Sequence, residues 1–291
     1  MNDSKSKPAI TQPSQHQHLM NQAQDTPRRG LGHRYDVMIV GAGVAGCEAA
    51  WRCQAAGLDT LLITTSLDTV YNLLGDAVRL EPPEGSLMQR IVDDVHEDGL
   101  VGNWAFHRRA KTLIEQQTDI HLLQSSVMAL LYEDNYQDTQ ASLPEDLAAE
   151  QTSIKPKQIK GVRTWEGVDR FATQVALCVG SFLGARLTIG SLTEVAGRLS
   201  EMAYDDLFED LKASGFNLEP TQLNADFQDG SLPYDVRCHM FSATEQDGYK
   251  LEHARGLYAA GVCRRGYIPF EEAALEGQQL ARELIRHHQQ S

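Results

Sequence analysis

The chain has 291 residues, with 26 Lys and Arg against 40 Asp and Glu, so its formal net charge is −14 with histidine neutral. An acidic field of this size repels phosphate backbones and anionic membrane surfaces, which excludes a mainly basic nucleic-acid clamp. With 42% hydrophobic and 23% charged residues, the composition is that of a globular protein able to bury a core.

Residues 1–33 are rich in Gln, Ser, His, Asp and Asn, carry Pro8, Pro13 and Pro27, and lack apolar periodicity. They read as a disordered polar tail that cannot repay its ordering entropy, with His16 and His18 as solvated tail residues rather than metal ligands. The texture changes at Arg34. Tyr35 to Val40 is a β-branched apolar run, as expected of a buried parallel strand, and Gly41-Ala42-Gly43-Val44-Ala45-Gly46 follows it. Cys47 to Ala56 reads as a small-residue helix closed by Gly57, and Leu58 to Thr64 as a second strand.

Further along, Ser86 to Glu97 and Asn103 to Gln117 have helical spacing, and Ile120 to Leu123 begins another strand. Val127 to Tyr132 and Gln158 to Thr164 read as strands flanking a flexible acidic hairpin insertion, residues 133–157, with Arg170 to Thr173 completing a β-meander. Val175 to Gly180 restores a buried strand, Tyr204 to Ser214 is an amphipathic helix, and Glu219 to Arg237 is a loop-rich connection. Gly256 to Gly261 is a last strand ending in glycine, and Phe270 to His287 a final helix.

Strand, glycine turn, helix and strand within about 30 residues give GxGxxG its meaning. The first glycine permits a tight bend, the second lets backbone approach a pyrophosphate, and the third lets helix pack on strand, with the helix N-terminus turned to the anion. An acidic residue about 20 positions on normally bonds the adenosine ribose. Here Thr64 and Thr65 stand in that place, and the first nearby carboxylate is Asp68.

These residues bring a family into view. The run from Tyr35 through Gly41–Gly46 to Ala50, then Thr60-Leu61-Leu62-Ile63-Thr64 and Leu67-Asp68-Thr69, resembles the opening of the GidA family, also called MnmG. Val175 to Gly190, with Gly180-Ser181-Phe182-Leu183, and Gly256 to Gly277, GLYAAGVCRRGYIPFEEAALEG, resemble two later blocks of it. The resemblance implies an α/β, Rossmann-like FAD-binding fold, a central parallel sheet with helices on one face and a β-meander crossover on the other, over residues 34–291. It implies FAD as cofactor, with NAD(P)H as a candidate reductant, and hydride transfer through the flavin in a cytoplasmic oxidoreductase. Carried over residue by residue, Gly41, Ala42, Gly43, Val44, Ala45 and Gly46 would hold the pyrophosphate, and Thr64 and Thr65 would end the second strand as the family's threonine does. Val127 would meet adenine through its backbone, and Gly180, Gly261 and Val262 would lie along the cofactor. The helix opening at Phe270 and Glu271 would face the flavin, while Glu271 and Glu272 read equally well as acids favouring their own helix terminus.

The departures carry their own implications. The family's Cys-Asn-Pro and glycine-rich run are missing from Tyr71-Asn72-Leu73-Leu74-Gly75-Asp76-Ala77-Val78, so its candidate redox thiol is absent. Family members are much longer, and the chain reads as a short form lacking the tRNA-binding C-terminal domain. Modification of tRNA by this chain alone is therefore not expected, and a non-catalytic FAD-binding module, or a partner in wobble-uridine modification, stands as the alternative. A small-molecule substrate is expected, no membrane, and a homo-oligomer is compatible.

The remaining chemistry is sparse. Five widely spaced cysteines (Cys47, Cys53, Cys178, Cys238, Cys263) without a CxxC pair indicate reduced thiols of a cytoplasmic protein, and no metal site. No run reaches the roughly 18–20 apolar residues of a membrane span. His107-Arg108-Arg109-Ala110-Lys111 reads as a solvated helix. Arg264 and Arg265 are candidates to meet an anionic substrate or the FAD phosphates, Tyr267 to approach the flavin, and Cys263 to be either a flavin-adjacent thiol or core packing. No residue is singled out as a catalytic acid or base.

Overall fold

Val37 and Ile39 bury their side chains on one face of the first strand and Met38 and Val40 on the other, all four fully enclosed. Two buried faces need two covering layers, and each such side chain contributes roughly 1.5–3 kcal/mol on leaving water. A computed structural model describes residues 29–73, 77–133, 157–225 and 233–290, and Leu31–Ser291 forms one compact unit. Residues 1–28 of the expected polar tail and 134–156 of the expected acidic insertion lie outside the described residues.

The central sheet has five parallel strands: β1 (Arg34–Val40), β2 (Thr60–Thr64), β3 (Ile120–Gln124), β6 (Asp169–Leu177) and β11 (Leu257–Ala259). Their order is β11-β6-β1-β2-β3. The helix layer on one face consists of α1 (Val44–Ala55), α2 (Leu87–Val95), α3 (Asn103–Glu115) and, after the single-turn α5 (Val262–Arg265), α6 (Phe270–Gln290). On the other face lie β4 (Val127–Tyr132) and β5 (Lys157–Thr164), with α4 (Asp205–Ala213) packed over β4. The chain is thus a doubly wound α/β fold, with helices on one side of the sheet and the meander on the other. The meander side also carries a helix.

Two expectations are corrected. The meander strand at Arg170 to Thr173 and the buried strand at Val175 to Gly180 are one continuous β6, ending at Leu177. Its first residues pair antiparallel with β5 while the same strand runs parallel to β1 and then to β11, so one strand belongs to both layers. The stretch Glu219 to Arg237, expected as loop, instead supplies most of β9 (Leu218–Ala225) and the start of β10 (Tyr234–Phe241). With β7 (Arg186–Ile189) and β8 (Leu192–Glu194) they form a second, antiparallel sheet in the order β8-β7-β10-β9. Pro220 is tolerated there because β9 is an edge strand with one side free of ladder bonds.

Local chemistry sets the helix ends. α1 starts at Val44, three residues before the expected Cys47, and closes with Gly57 at φ +82. The Gly57 and Leu58 amides bond back to the Gln54 and Cys53 carbonyls at 2.8 and 3.1 Å, a left-handed glycine stop. Ser86 caps α2 by accepting the Gln89 amide at 2.9 Å. Gly277 on α6 sits so close to α1 that an added Cβ would lie 2.3 Å from the Ala45 carbonyl oxygen.

Candidate functional site

In a doubly wound sheet the crevice for a ligand opens at the carboxyl ends of the strands, where the strand order reverses. Here that point lies between β1 and β6, and an open cleft occupies it. Its floor is the glycine turn after β1, its sides the residues following β2, β6 and β11, and its far wall the second sheet, with Tyr234 and Val236.

The three turn glycines have different reasons to be glycine. Gly41 has φ +106, and a Cβ there would lie 2.3 Å from the Cys178 carbonyl oxygen. A Cβ on Gly46 would lie 1.9 Å from the Gly41 carbonyl oxygen. Both are demanded by the protein's own backbone. Gly43 has an ordinary φ of −77, and nothing lies within 4 Å of an added Cβ. It is also the N-cap of α1 and offers no side-chain hydrogen bond to the helix. The first-turn N–H groups of α1 therefore have no capping side chain, beside a cleft lined by Gly41 to Ala45.

Most of the expected site residues meet in this cleft. Gly41, Ala42, Gly43, Val44 and Ala45, Thr64 and Thr65, Gly180, Gly261, Val262 and Phe270 all line it. Gly46 lies just beneath, buried in the first turn of α1. Two further expected residues do not line it. Val127 is 1% exposed and packs in the core of the meander face, and the Glu271 carboxylate turns outward to accept the Glu81 amide at 3.2 Å. Asp68, with its side chain 95% exposed, also stands away from the cleft, near Lys111.

The loop after β11 is held by its own contacts. Arg264 donates to the buried Glu276 carboxylate at 2.6 Å and to the Gly248 carbonyl at 2.9 Å, and stacks on the Tyr249 ring. Arg265 approaches Glu276 and Glu272. Neither arginine lines the cleft; both pair with carboxylates of α6. Cys263 is fully buried, donates to the Leu177 and Ala260 carbonyls, and burial pushes its thiol up to about 12. It is core packing. Tyr267, 65% exposed, sits on the rim.

The 107–111 basic cluster disperses: His107 bonds the Val70 carbonyl, Arg109 pairs with Asp94, and Arg108 lies over Trp104. Among the described residues there is no group of three His, Cys, Asp or Glu able to hold a metal ion. No helix among them is long and apolar enough to cross a membrane.

Sequence reading missed two features. Arg198 and Glu201, the only charged side chains among the described lining residues, come from a short hairpin beyond the second glycine-ended block. Glu48 on α1 is fully buried and accepts the Leu87 and Met88 amides and the Tyr71 hydroxyl.

The sequence model of glucose inhibited division protein A, GidA, matches residues 36–225, a span that covers β1, the glycine turn, β6 and most of the second sheet. The chain belongs to the GidA family. The crystal structure of the GidA-related protein from Thermus thermophilus is 36% identical and superposes with a TM-score of 0.72, covering 87% of this chain and 99% of that one. Aquifex aeolicus GidA shares the fold at a TM-score of 0.70, with 14% identity over 89% of this chain and 64% of that one. The tRNA uridine 5-carboxymethylaminomethyl modification enzyme MnmG of Chlamydia trachomatis is 30% identical over 213 residues, 63% of this chain and 31% of that enzyme. The enzyme of the same description from Chlamydia caviae is 28% identical over 211 residues. The chain thus spans about 30% of the length of the curated relatives it matches.

Proposed function

We propose that this GidA-family chain is a flavoprotein that holds FAD along the cleft and acts as an oxidoreductase on a small substrate, with NAD(P)H as the candidate reductant. The observation that carries the reading is Gly43. It is a glycine that neither backbone conformation nor packing requires, at an uncapped helix N-terminus facing a cleft. The missing Cβ leaves that backbone open to a group approaching from the cleft side, and a pyrophosphate is what such a terminus attracts.

The residues present suit the group. The amides at the start of α1 would receive the pyrophosphate, and the helix dipole would favour its charge. Thr64 and Thr65 would border the ribose, each hydroxyl able to donate one bond and accept two. At the other end Val262, Ile268, Phe270 and Ala273 make an apolar surface suited to a flat ring. The flavin, when bound, supplies hydride acceptance and donation; the chain binds, orients and shields it. Anaerobic addition of NADH and then NADPH to the flavin-loaded protein tests the redox part. Bleaching of the visible bands by either nucleotide supports it, and bands that persist with both remove NAD(P)H as the reductant.

A second reading follows from the relatives. MnmG of Chlamydia trachomatis and Chlamydia caviae modify tRNA uridine, and the matched segment is about 30% of each. The chain then serves as the FAD-binding module of such a reaction, with tRNA engaged by a partner. The net charge of −14 opposes tRNA binding by this chain alone. A labelled-tRNA titration at moderate salt, with the chain alone, separates direct binding from that arrangement.

A further inference from the structure

The cleft's two charged side chains are paired with each other. Arg198 and Glu201 are cross-strand partners in the hairpin formed by Ala196–Arg198 and Glu201–Met202. Arg198 Nε donates to Glu201 Oε1 at 2.5 Å, and the side chains are only 20% and 11% exposed. The hairpin is pinned to the cleft at several points. Ser181 Oγ donates to the Gly197 carbonyl at 2.6 Å, and Arg198 Nη1 to the Asn72 carbonyl at 3.3 Å. Thr69 Oγ1 donates to Glu201 Oε2 at 3.0 Å.

The position of this carboxylate answers a gap at the end of β2. A dinucleotide fold normally offers an acidic residue there to the adenosine ribose, and this chain has Thr64 and Thr65 instead. Asp68, the next carboxylate along, is turned to solvent. Glu201 reaches the same corner from 132 residues beyond Thr69. Tyr204, hydrogen-bonded to Thr65, lies close enough to Glu201 to feel its charge. A carboxylate has about four acceptor positions, and Arg198 and Thr69 occupy one each, leaving acceptor capacity on a side chain that lines the cleft. Arg198 also balances the negative charge, which would otherwise oppose a pyrophosphate nearby.

We propose that Glu201 is the ribose-recognising residue of the cleft, accepting hydrogen bonds from the adenosine hydroxyls of the bound dinucleotide, with Arg198 and Thr69 as positioning residues. This rests on the reading that the cleft holds FAD. The carboxylate missing from the end of β2 is supplied in space by the hairpin.

The test compares ADP with 2′,3′-dideoxy-ADP, each competed against FAD on the full chain, for wild type and Glu201→Gln. Wild type should prefer ADP by about tenfold or more, the range expected of hydrogen bonds to a charged acceptor. In Glu201→Gln that preference should fall to about twofold, with affinity for the dideoxy nucleotide nearly unchanged. A variant that keeps the full preference, or that loses affinity for both nucleotides by one common factor, overturns the proposal while leaving the FAD reading intact. Wild-type protein that takes up neither FAD nor ADP overturns both. Thr69→Val, which removes the hydroxyl orienting Oε2, provides a second variant should Glu201→Gln fail to fold. Its preference should fall part of the way, and an unchanged preference again overturns the proposal.

Discussion

Glu276, 3% exposed on α6, accepts the Gly261 amide at 2.8 Å and so ties the last helix to the end of β11. Its other oxygen receives Arg264, the residue whose contacts draw it out of the cleft. One carboxylate therefore fixes both the shape of the closing loop and the direction of its arginine.

Replacing Glu276 with Ala would leave the Gly261 amide without its partner and a guanidinium 17% exposed without its counter-charge. Breaking a buried pair from one side costs about 3–5 kcal/mol, so Glu276→Ala should lower the free energy of unfolding by that order in a urea titration. Arg264→Ala should cost less, because Gly261 and Arg265 still bond the carboxylate. Equal stability of wild type and Glu276→Ala would show that the tie carries no weight.

Glu48 gives a pH-dependent prediction. Burial raises its carboxyl above the usual 4.5, against the lowering effect of its hydrogen bonds from Tyr71, Met88 and Leu87. The folded protein then holds this proton more tightly than the unfolded chain. Its contribution is fully present below the unfolded pKa and is lost as pH rises through the raised folded value. Glu48→Gln turns an amide NH₂ toward donors and strands at least one of them, at a cost of about 1–3 kcal/mol. The stability gap between wild type and variant should be widest near pH 4 and narrow toward pH 7. Denaturation series at several pH values check this, and a gap that widens with pH contradicts it.

The turn glycines should separate folding from binding. Gly41→Ala and Gly46→Ala force a Cβ to within 2.3 and 1.9 Å of backbone carbonyl oxygens, and soluble folded protein should be lost. Gly43→Ala should fold with a stability within about 1 kcal/mol of wild type, the ordinary range for a change at an N-cap, yet bind FAD at least tenfold more weakly. Thermal melts together with flavin fluorescence titrations distinguish the two classes.

The cysteines offer a check on the core. All five are free and buried, and burial pushes Cys53, Cys238 and Cys263 up to about 12. A thiol reagent at pH 8 should label none of these three in native protein and all five in denaturant. Fast native labelling of Cys263 would restore it as a reactive thiol.

The parts legible in the sequence are those fixed by short-range rules. β1, the glycine turn, α1 and its Gly57 stop are set by one apolar run and by glycine conformations, and α2 by the Ser86 cap. β6 read as two pieces because a polar Gln174 interrupts it. That residue is 4% exposed, and its amide donates to the Leu284 carbonyl on α6, a partner 110 positions away that no local pattern reveals. The second sheet escaped notice because β8 is wholly exposed and β9 carries Pro220 among polar residues. Such strands are defined by their edges rather than by burial. The cleft's glycines were legible for the same local reason as the turn, whereas Glu201 at Thr69, and Glu276 at Gly261, depend on long-range closure.

The measurement that bears most directly on the account is a titration of the purified chain, stripped of any bound cofactor, with FAD followed by flavin fluorescence and visible absorption. The account predicts saturable uptake of one FAD per chain with a perturbed flavin spectrum, abolished or strongly weakened by Gly43→Ala. A folded protein that leaves the spectrum of added FAD unchanged would contradict the claim that this glycine turn is built for a dinucleotide.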